Sequence, residues 1–370
     1  MTHGRRPSTV ARPSFADLGE RAQVARLRPL ALDALTHHPI AVDRLRLLNH
    51  GFNTMFRVDT TDRRPFALRL NVNSRRSAAN LLAESSWLRA LTADTDLTVP
   101  VPQVTIEGAT SVVLPFPELG RPVTATLFSW LPGRNLGDTA TAPQMWAVGR
   151  AAATLHDHAA RWTMPAGAEL PPIDRPLMDV ESRFGTEHPL LTPERLAVIG
   201  AALADVQARY DELFAAAPAT SGRGRTGAAG RDADGGPVCR PLHADLHHGN
   251  LKWYRGKLSV FDFDDSGVGR PIQDLAIAAY YLRFRGDPAL ETAMLDGYAS
   301  LRPVPAHTAR QYEAIVASRN LVLLNDVFET TIPEWQKLLP RYVANSVLKL
   351  QAYLDTGVYR HDVPGVEPIG

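Results

Sequence analysis

Residues 14 to 130 mix helical and strand-like patterns of hydrophobic and polar positions. Residues 14–37 carry apolar side chains at helical intervals. Residues 43–71 instead alternate apolar and polar positions around turn-forming segments, which predicts consecutive antiparallel strands. Residues 77–92 return to helical spacing, and further strands are predicted for the segments SVVLPF and VTATLFSWLPG. We therefore predict a small sheet with a helix packed against it.

Beyond Pro132 and Gly133 the pattern becomes helical. One face of a predicted helix is formed by apolar residues three and four positions apart, namely Met145, Val148, Ala152, Leu155, Ala159 and Trp162. A similar pattern predicts helices in residues 289–300, 307–330 and 341–354. The larger second part of the chain, residues 131–370, is thus expected to be mostly helical.

Two stretches are predicted to be disordered. Residues 1–13 are predicted to form a disordered N-terminal tail. Residues 215–237 contain no large apolar side chain, so burial cannot offset the entropy that ordering would cost. We interpret residues 215–237 as a surface insertion.

Composition allows a two-lobed globular protein and excludes some classes of partner. The chain has 370 residues, of which 45% are hydrophobic and 21% charged, enough to build two sizeable cores. Lysine plus arginine number 40 against 39 acidic residues, so the net charge of +1 provides no field that would recruit nucleic acid or a membrane surface. Partners must therefore be inferred from individual sites.

Cysteine use and the lack of long apolar runs predict a soluble cytoplasmic protein. A single cysteine, Cys239, excludes an intramolecular disulfide and a cysteine-based zinc cluster, and it suits a reducing compartment. No apolar segment follows the basic N-terminus MTHGRRPSTVARPS, and no run of about 18 apolar residues occurs in the chain. We expect no membrane partner.

Residues 241–265, PLHADLHHGNLKWYRGKLSVFDFDD, concentrate the polar chemistry of the chain. A turn at Arg255–Gly256 separates two short apolar strands. Asp245 and Asn250 on the preceding loop can therefore converge with Asp262 at the end of the second strand. Such oxygen ligands suit a hard cation such as Mg²⁺, which in turn suggests phosphates. An aspartate beside the metal can accept a proton from a hydroxyl nucleophile.

The order of these residues is that of a kinase catalytic loop. His-x-Asp-x-x-x-x-Asn runs from His243 to Asn250, and Asp262–Phe263 follows about a dozen residues later, where kinases carry their metal-binding aspartate. Short motifs arise by chance, and the Asp-Phe continuation lowers that risk. The pattern favours phosphoryl transfer with ATP and Mg²⁺.

A kinase also needs a cation on a strand of its first lobe to bind the ATP phosphates. Arg69 lies on the predicted strand PFALRL, and Glu84 lies on the following helix, three residues after Leu81. A carboxylate on the side of core leucines needs a cationic partner, and Arg69 is the natural one, although a structural ion pair would have the same sequence. The turn in NHGFNTMFRV, with Gly51 at its tip and Asn53 beside it, would cover the phosphates.

Through these motifs the chain resembles the aminoglycoside phosphotransferase and choline kinase-like superfamily over residues 40–330, near the type II homoserine kinase and bacterial stress-response kinase branches. LHADLHHGN resembles the catalytic loop, VFDFDD the metal-binding segment, GRPIQDLA the segment after it, VGRAAATLH a core helix and FSWLPGR the hinge. The resemblance implies an α+β, bilobal protein-kinase-like fold, with an ATP-binding sheet lobe at 14–130 and a helical catalytic and acceptor-binding lobe at 131–370. It also places Ser129 and Leu131 against the nucleotide.

The resemblance assigns roles to individual residues. Asp245 would be the catalytic base, and Asn250 and Asp262 would hold Mg²⁺. His243 would orient the loop, and Asp274 would be a structural acid that braces it.

Two features depart from the kinase pattern. The strand cation is Arg69 rather than lysine, and an arginine can still bind phosphate through two hydrogen bonds. The phosphate-covering turn keeps one glycine, and Asp264 stands where kinases have the glycine of Asp-Phe-Gly. Asp264 and Asp265 are compatible with metal ligands, substrate contacts or turn residues.

Two other activities fit part of the pattern. A metal-dependent hydrolase could bind Zn²⁺ through the cluster His243, Asp245, His247 and His248. That hypothesis leaves Asn250 and the Asp262–Phe263 element unexplained. A nucleotide-binding pseudokinase would suit the reduced glycine content and Arg69, although the complete catalytic set argues against it.

The sequence leaves the acceptor open. Asp326, Glu329 and Glu334 follow a long apolar segment, and in a cleft they would suit a cationic small molecule such as an aminoglycoside or an amino alcohol. A solvated helix end would have the same residues. The passage DFDDSGVGRPIQDLA is closer to the protein-kinase and homoserine-kinase branches, so a protein acceptor is the alternative.

Overall fold

A computed structural model of the chain describes residues 14–215, 239–329 and 333–368. The tail predicted at residues 1–13 lies outside these ranges, as does the insertion predicted at 215–237 except for Ala215, which ends a helix. The described residues divide into two compact units. The first is drawn from Met1–Arg75 and Pro102–Trp130, and the second from Arg76–Val101 and Leu131–Gly370.

The first unit contains a five-stranded antiparallel sheet and one long helix. Helix α1 spans Glu20–Thr36, and the strands are β1 (Val42–His50), β2 (Thr54–Thr60), β3 (Pro65–Leu70), β4 (Val112–Leu114) and β5 (Val123–Ser129). Their order across the sheet is β1-β2-β3-β5-β4. Every second residue of β2 is buried, which is the alternation that predicted a strand. Phe56 and Val58 of β2 share one core with Leu27 and Ala31 of α1.

Helices dominate the second unit. They are α2 (Ala78–Asp94), α3 (Ala142–Ala159), α4 (Pro193–Ala215), α5 (Ile272–Leu282), α6 (Pro288–Ala299), α7 (Ala309–Asp326) and α8 (Pro333–Thr356). One small sheet consists of β6 (Arg134–Asn135), β8 (Leu251–Tyr254) and β9 (Lys257–Val260), and a second consists of β7 (Arg240–Leu242) and β10 (Gly267–Gly269). Helix α2 groups with this unit, whereas the predicted lobe at 14–130 includes it.

Helix α3 lies where the apolar pattern from Met145 to Trp162 predicted a helix. Its predicted face is buried from Met145 to Ala159, and Trp162 follows the end of the helix. Trp87 of α2 is fully buried, and its Nε1 donates to Nδ1 of His158 on α3 at 3.1 Å. The indole of Trp87 also stacks on Trp162, with ring centroids 6.1 Å apart. These contacts join α2 to α3.

Helix α5 is buried on nearly every side. Of its 11 residues, Tyr281 is the one that keeps intermediate exposure. Eleven residues are too few for a bilayer, which needs about 20. Among the helices that the structure describes, none is long and apolar enough to cross a membrane. The burial of its residues makes α5 a core element of the second unit.

Helices α3 and α6 approach so closely that a side chain would not fit at two positions. A Cβ added to Gly149 would overlap the backbone oxygen of Met294, and one added to Gly297 would overlap the backbone oxygen of Trp146. Both obstacles are backbone atoms, so neither can move aside without shifting a helix.

We expect Gly149→Ala to lower the free energy of unfolding by about 1–3 kcal/mol, as overpacking of a core does. Gly200→Ala is the matched control, because Gly200 lies in α4 with no neighbouring atom near its added Cβ. The control should gain about 0.5–1 kcal/mol from the better helix propensity of alanine. Urea unfolding of both variants measures the difference, and a stabilised Gly149→Ala would contradict the close packing.

Candidate active site

The His-x-Asp-x4-Asn motif lies between β7 and β8, and the Asp-Phe element follows β9. Strands β8 and β9 pair as an antiparallel hairpin around the two-residue turn Arg255–Gly256. Both turn residues have positive φ, 49° and 82°, which a type I′ hairpin requires. The backbone N–H of Phe261 donates to the carbonyl of Asn250 at 3.0 Å. The hairpin therefore returns the chain to the side of the loop.

Asp245 and Asn250 are in direct contact. Nδ2 of Asn250 donates to Oδ2 of the Asp245 carboxylate at 2.9 Å and to the backbone oxygen of Asp245 at 3.1 Å. Because the amino end of the amide is engaged, the amide oxygen is the end of Asn250 that can ligate a metal. One residue can thus hold the aspartate and offer an oxygen ligand.

The other oxygen of Asp245 pairs with an arginine that the motif does not contain. Nη2 of Arg319, on α7, donates to Oδ1 of Asp245 across a sequence separation of 74 residues. Nε and Nη2 of Arg319 also donate to the hydroxyl of Tyr281 at 2.9 and 2.7 Å. Only 6% of the Arg319 side chain is exposed. The aspartate therefore lies against a buried cation.

Burial and charge act in opposite directions on the Asp245 carboxyl. Burial raises its pKa, but the positive charge of Arg319 and the hydrogen bond from His247 outweigh burial and hold the pKa well below its ordinary value. Nε2 of His247 lies 3.4 Å from Oδ2 of Asp245. Asp245 is therefore ionised at neutral pH.

His243 connects the loop to the segment after β9. Its Nε2 lies 3.0 Å from the carbonyl oxygen of Phe261, which can only accept, so Nε2 carries the proton. Nδ1 then accepts from the backbone N–H of Asp245 at 3.2 Å. Burial lowers the pKa of His243, so the ring is neutral, and it packs on Phe263 with ring centroids 4.5 Å apart. His243 thereby orients the backbone that carries Asp245.

Asp274, fully buried on α5, holds the same loop from the other side. Oδ1 accepts from the backbone N–H of Ala244 at 2.7 Å, and Oδ2 accepts from that of His243 at 3.1 Å. Nε2 of His156 lies 3.0 Å from Oδ2, and Nδ1 of His156 lies 2.9 Å from the Tyr298 hydroxyl. Burial raises the pKa of Asp274, but the hydrogen bond from His156 and the other donors outweigh burial and lower it.

Two residues of the site adopt the left-handed backbone conformation, which is unfavourable for residues other than glycine. Ala244 has φ of 64° and Asp262 has φ of 65°. Such a conformation costs on the order of 1 kcal/mol or more and persists where the surroundings impose it. The backbone N–H of Ala244 donates to Oδ1 of Asp274 at 2.7 Å, which anchors this residue. The strain therefore marks the residues immediately before Asp245 and at the end of the hairpin.

Asp265 forms an ion pair with an arginine of the same chain. Arg76, just before α2, donates to Oδ1 of Asp265 at 3.2 Å and to Oδ2 of Asp179 at 2.9 Å. Partial burial, followed by the negative charge of Asp245, raises the pKa of Asp265 to about 6. Asp264 is partly buried. The ion pair of Asp265 with Arg76 was not among the roles considered from the sequence, which were metal ligand, substrate contact and turn residue.

The donor atoms of the site suit a hard cation rather than zinc. Within the described ranges, no three side chains of histidine, cysteine, aspartate or glutamate converge on a metal centre. The zinc cluster considered for the histidines is therefore not formed, and Nδ1 of His247 instead accepts from the backbone N–H of Gly249 at 3.0 Å. The amide oxygen of Asn250 and the carboxylate of the exposed Asp262 offer oxygen atoms of the kind that Mg²⁺ prefers.

Gly51 and Asn53 form the turn between β1 and β2 in the first unit. Nδ2 of Asn73 donates to the backbone oxygen of Gly51 at 2.7 Å, and Nδ2 of Asn71 donates to Oδ1 of Asn53 at 3.0 Å. The backbone N–H of Asn73 donates to Phe52 O at 2.9 Å. The segment after β3 therefore holds the turn in one shape.

The other residues predicted to contact the nucleotide are distributed over both units. Arg69 and Ser129 belong to the first unit, and Glu84 and Leu131 to the second. Arg69 is buried on β3, with its guanidinium carbon 5.1 Å from the centre of the Phe128 ring. Glu84 on α2 is equally buried, at 4% exposure. The pairing of Arg69 with Glu84 stays a prediction.

The three acids considered for a cationic acceptor differ in their surroundings. Glu329 forms an ion pair with Arg183, which compensates its charge. Asp326 is partly buried at the end of α7. Glu334 lies in α8, but its side chain lies outside the described part of the chain.

Known proteins share this sequence pattern. The chain matches the phosphotransferase enzyme family over residues 44–311. Stress response kinase A of Escherichia coli (strain K12) is 28% identical over 272 residues, which are 72% of this chain and 70% of that protein. Amicoumacin kinase of Bacillus subtilis (strain 168) is 51% identical over 39 residues, which are 10% of this chain and only 12% of that protein.

Solved structures share the fold. The structure of a microcompartment-associated aminopropanol kinase has a TM-score of 0.70 and 24% identity, and the match covers 92% of this chain and 99% of that one. An amicoumacin kinase in complex with AMP-PNP, Ca²⁺ and Ami has a TM-score of 0.64 and 18% identity, covering 89% and 96%. The predicted α+β, protein-kinase-like fold is thereby confirmed.

Proposed function

The chain belongs to the phosphotransferase enzyme family, and from this premise we propose that it transfers the γ-phosphoryl group of Mg-ATP to a hydroxyl group of a small molecule. One observation carries the proposal. Asp245, ionised and largely buried, is held by Asn250 at 2.9 Å in a loop whose backbone donates to Asp274. An aspartate so fixed can accept the proton of an acceptor hydroxyl as the phosphoryl group arrives.

The lowered pKa of Asp245 fits this reaction. A carboxylate beside Arg319 is a weak base, yet phosphoryl transfer depends on positioning and charge stabilisation more than on strong proton abstraction. Asp245 would orient the hydroxyl first and take its proton late. His243 and Asp274 keep the backbone of Asp245 in place during this step.

Asn250 and Asp262 would hold Mg²⁺, which when bound neutralises negative charge on the phosphates. The structural neighbour solved with AMP-PNP and Ca²⁺ supports a nucleoside triphosphate and a divalent cation as ligands. Arg69, partnered by Glu84, would bind the α- and β-phosphates. The β1–β2 turn would cover the phosphates.

Ser129 and Leu131 would contact the nucleotide base at the hinge. ATP as the phosphoryl donor fits the cytoplasmic location expected from the single cysteine. The complete set of Asp245, Asn250 and Asp262 argues for turnover rather than for a pseudokinase.

For the acceptor, we favour a small hydroxyl compound such as an antibiotic or an amino alcohol. The neighbours of similar fold include kinases named for aminopropanol and amicoumacin, which supports this class. A compound with several positive charges has weaker support, because Glu329 is already compensated by Arg183. A serine or threonine of a protein is the second candidate, favoured by similarity to stress response kinase A over 72% of the chain.

The test is ADP formation from ATP and Mg²⁺ across a panel of aminoglycosides, amicoumacin-type antibiotics, amino alcohols, amino sugars and protein extracts. We expect one small-molecule class to raise ADP formation at least about tenfold over the rate with water alone. EDTA should abolish the rate and added Mg²⁺ should restore it, because the proposed site would bind Mg²⁺ through the side-chain oxygens of Asn250 and Asp262. In a parallel assay with ATP labelled at the γ-phosphate, transfer of label to proteins but to no small molecule would favour the second candidate.

A further inference from the structure

Arg319 is a buried cation that touches the proposed base although it belongs to no motif of the sequence. It lies on α7, and its Nη2 donates to Oδ1 of Asp245. If Arg319 served stability alone, it would need only a counter-charge, and an acidic side chain at many positions could provide that charge. Here the counter-charge is the carboxylate that would receive the acceptor hydroxyl.

Tyr281 fixes Arg319 in turn. The tyrosine hydroxyl accepts from Nε and Nη2 of Arg319, and its own ring stacks on His247 with ring centroids 4.4 Å apart. Arg319 is thereby held by a neutral group on α5 as well as by Asp245. With 6% of its side chain exposed, it cannot swing into solvent without leaving a charge uncompensated.

The groups that face the Asp245 carboxylate come from four parts of the chain. They are Arg319 from α7, Tyr281 from α5, Asn250, His243 and His247 from the loop, and Asp265 from the segment after β9. Arg319 occupies Oδ1 and Asn250 occupies Oδ2 at 2.9 Å. The remaining contact of Oδ2, with His247, is longer at 3.4 Å. An acceptor hydroxyl could replace His247 while both other donors stay in place.

We propose that Arg319, anchored by Tyr281, is a positioning residue for phosphoryl transfer, which acts by fixing the carboxylate plane of Asp245 and turning Oδ2 toward the acceptor. The inference rests on the proposed function, since it presumes that Asp245 is the base. A carboxylate held at one oxygen only would rotate about its χ2 bond, and the acceptor would meet a mixture of orientations. A misplacement of about 1 Å at a reacting group can lower a rate by about 100-fold.

The test measures the Asp245-dependent rate of ADP formation from Mg-ATP, which is the total rate minus the rate of Asp245→Asn. It is measured with water as acceptor and with any active member of the panel. Arg319→Gln should lower kcat about 10–100-fold, while KM for ATP changes less than about twofold. Arg319→Lys should recover part of the loss, because lysine keeps the charge but cannot reach both Asp245 and Tyr281 in one plane. Tyr281→Phe, which removes only the anchoring hydroxyl, should lower kcat about 3–10-fold.

Arg310→Gln is the matched control, because Arg310 lies on the same helix and is ion-paired with Asp205. Its kcat should match that of the parent protein. Thermal unfolding of each variant establishes that it is folded at the assay temperature. In the Asp245→Asn background, Arg319→Gln should lower the residual total rate of ADP formation by less than about twofold, since Arg319 acts through the missing carboxylate.

Two results would overturn the role of Arg319 and leave the proposed function intact. One is a folded Arg319→Gln variant that retains or exceeds the parental kcat, and the other is a loss of kcat in Arg310→Gln equal to that in Arg319→Gln. An increase would identify the ion pair as an inhibitory contact. A parent protein whose ADP formation is unchanged by Asp245→Asn would overturn the assignment of the base, and the inference with it.

Discussion

Asp245→Asn should lower the rate of phosphoryl transfer by at least about 100-fold, within the range of about 10²–10⁴ typical of general acid–base groups. The amide has the size of the carboxylate but cannot take a proton at neutral pH. It also places an N–H₂ group where Arg319 or Asn250 now donates to an oxygen. The acceptor hydroxyl would therefore lose both its proton acceptor and its orienting partner.

The measurement is ADP formation at saturating Mg-ATP, with nucleotide affinity determined separately from fluorescence or calorimetric titration. Because Asp245→Asn leaves the Arg319 charge without its counter-ion, Asp245→Glu is a second variant that keeps the charge and displaces the carboxylate. Both should bind Mg-ATP within a few-fold of the parent protein. Asp211→Asn, on the exposed surface of α4, is the control and should have the parental rate. An active, folded Asp245→Asn protein would exclude Asp245 as the base.

Asp274→Asn should destabilise the protein by about 2–4 kcal/mol, because the Asp274 carboxylate accepts from three buried donors. Ala244, His243 and His156 all donate to its two oxygens. An amide offers one oxygen, so its N–H₂ group must face at least one N–H donor. The loop before Asp245 would then lose its anchor, and we expect kcat to fall at temperatures where the variant is still folded.

The pH dependence of this effect has a defined sign. The pKa of Asp274 is lowered in the folded protein, so its stabilising contribution is present above the unfolded value of about 4 and is lost as pH falls through the folded value. The difference in the free energy of unfolding between parent and Asp274→Asn should therefore be largest near pH 7 and shrink toward pH 3. Urea unfolding at several pH values measures it, and Asp211→Asn should have no comparable difference. A difference independent of pH would mean that the carboxylate charge is not what stabilises the loop.

Local features of the site could be predicted from sequence because they depend on residues close together in the chain. The Arg255–Gly256 turn determines its own hairpin through two residues that accept positive φ. Asp245 and Asn250 are five residues apart, and one short loop and a single 3-10 turn bring them into contact. The face of α3 follows from helical periodicity alone.

Two helices of the second unit have no counterpart among the predicted segments. The buried residues of α4, Ile199, Ala202, Val206, Tyr210 and Leu213, repeat every three or four positions, so periodicity could have identified this helix. Helix α5 is different, because it is buried on almost all sides and therefore has no polar face to set a period. Its helical form depends on the elements packed around it.

The sequence by itself determined which groups are available for chemistry: a carboxylate at 245, side-chain oxygens at 250 and 262, and the loop that carries Asp245 and Asn250. Only the tertiary structure decided that Arg319 and Tyr281, which are separated from each other by 38 residues, meet at Asp245. Periodicity and short motifs report contacts within one element, whereas the electrostatic environment of Asp245 is made by side chains from separate helices. Those side chains meet only when α5 and α7 pack, and packing is a property of the whole unit.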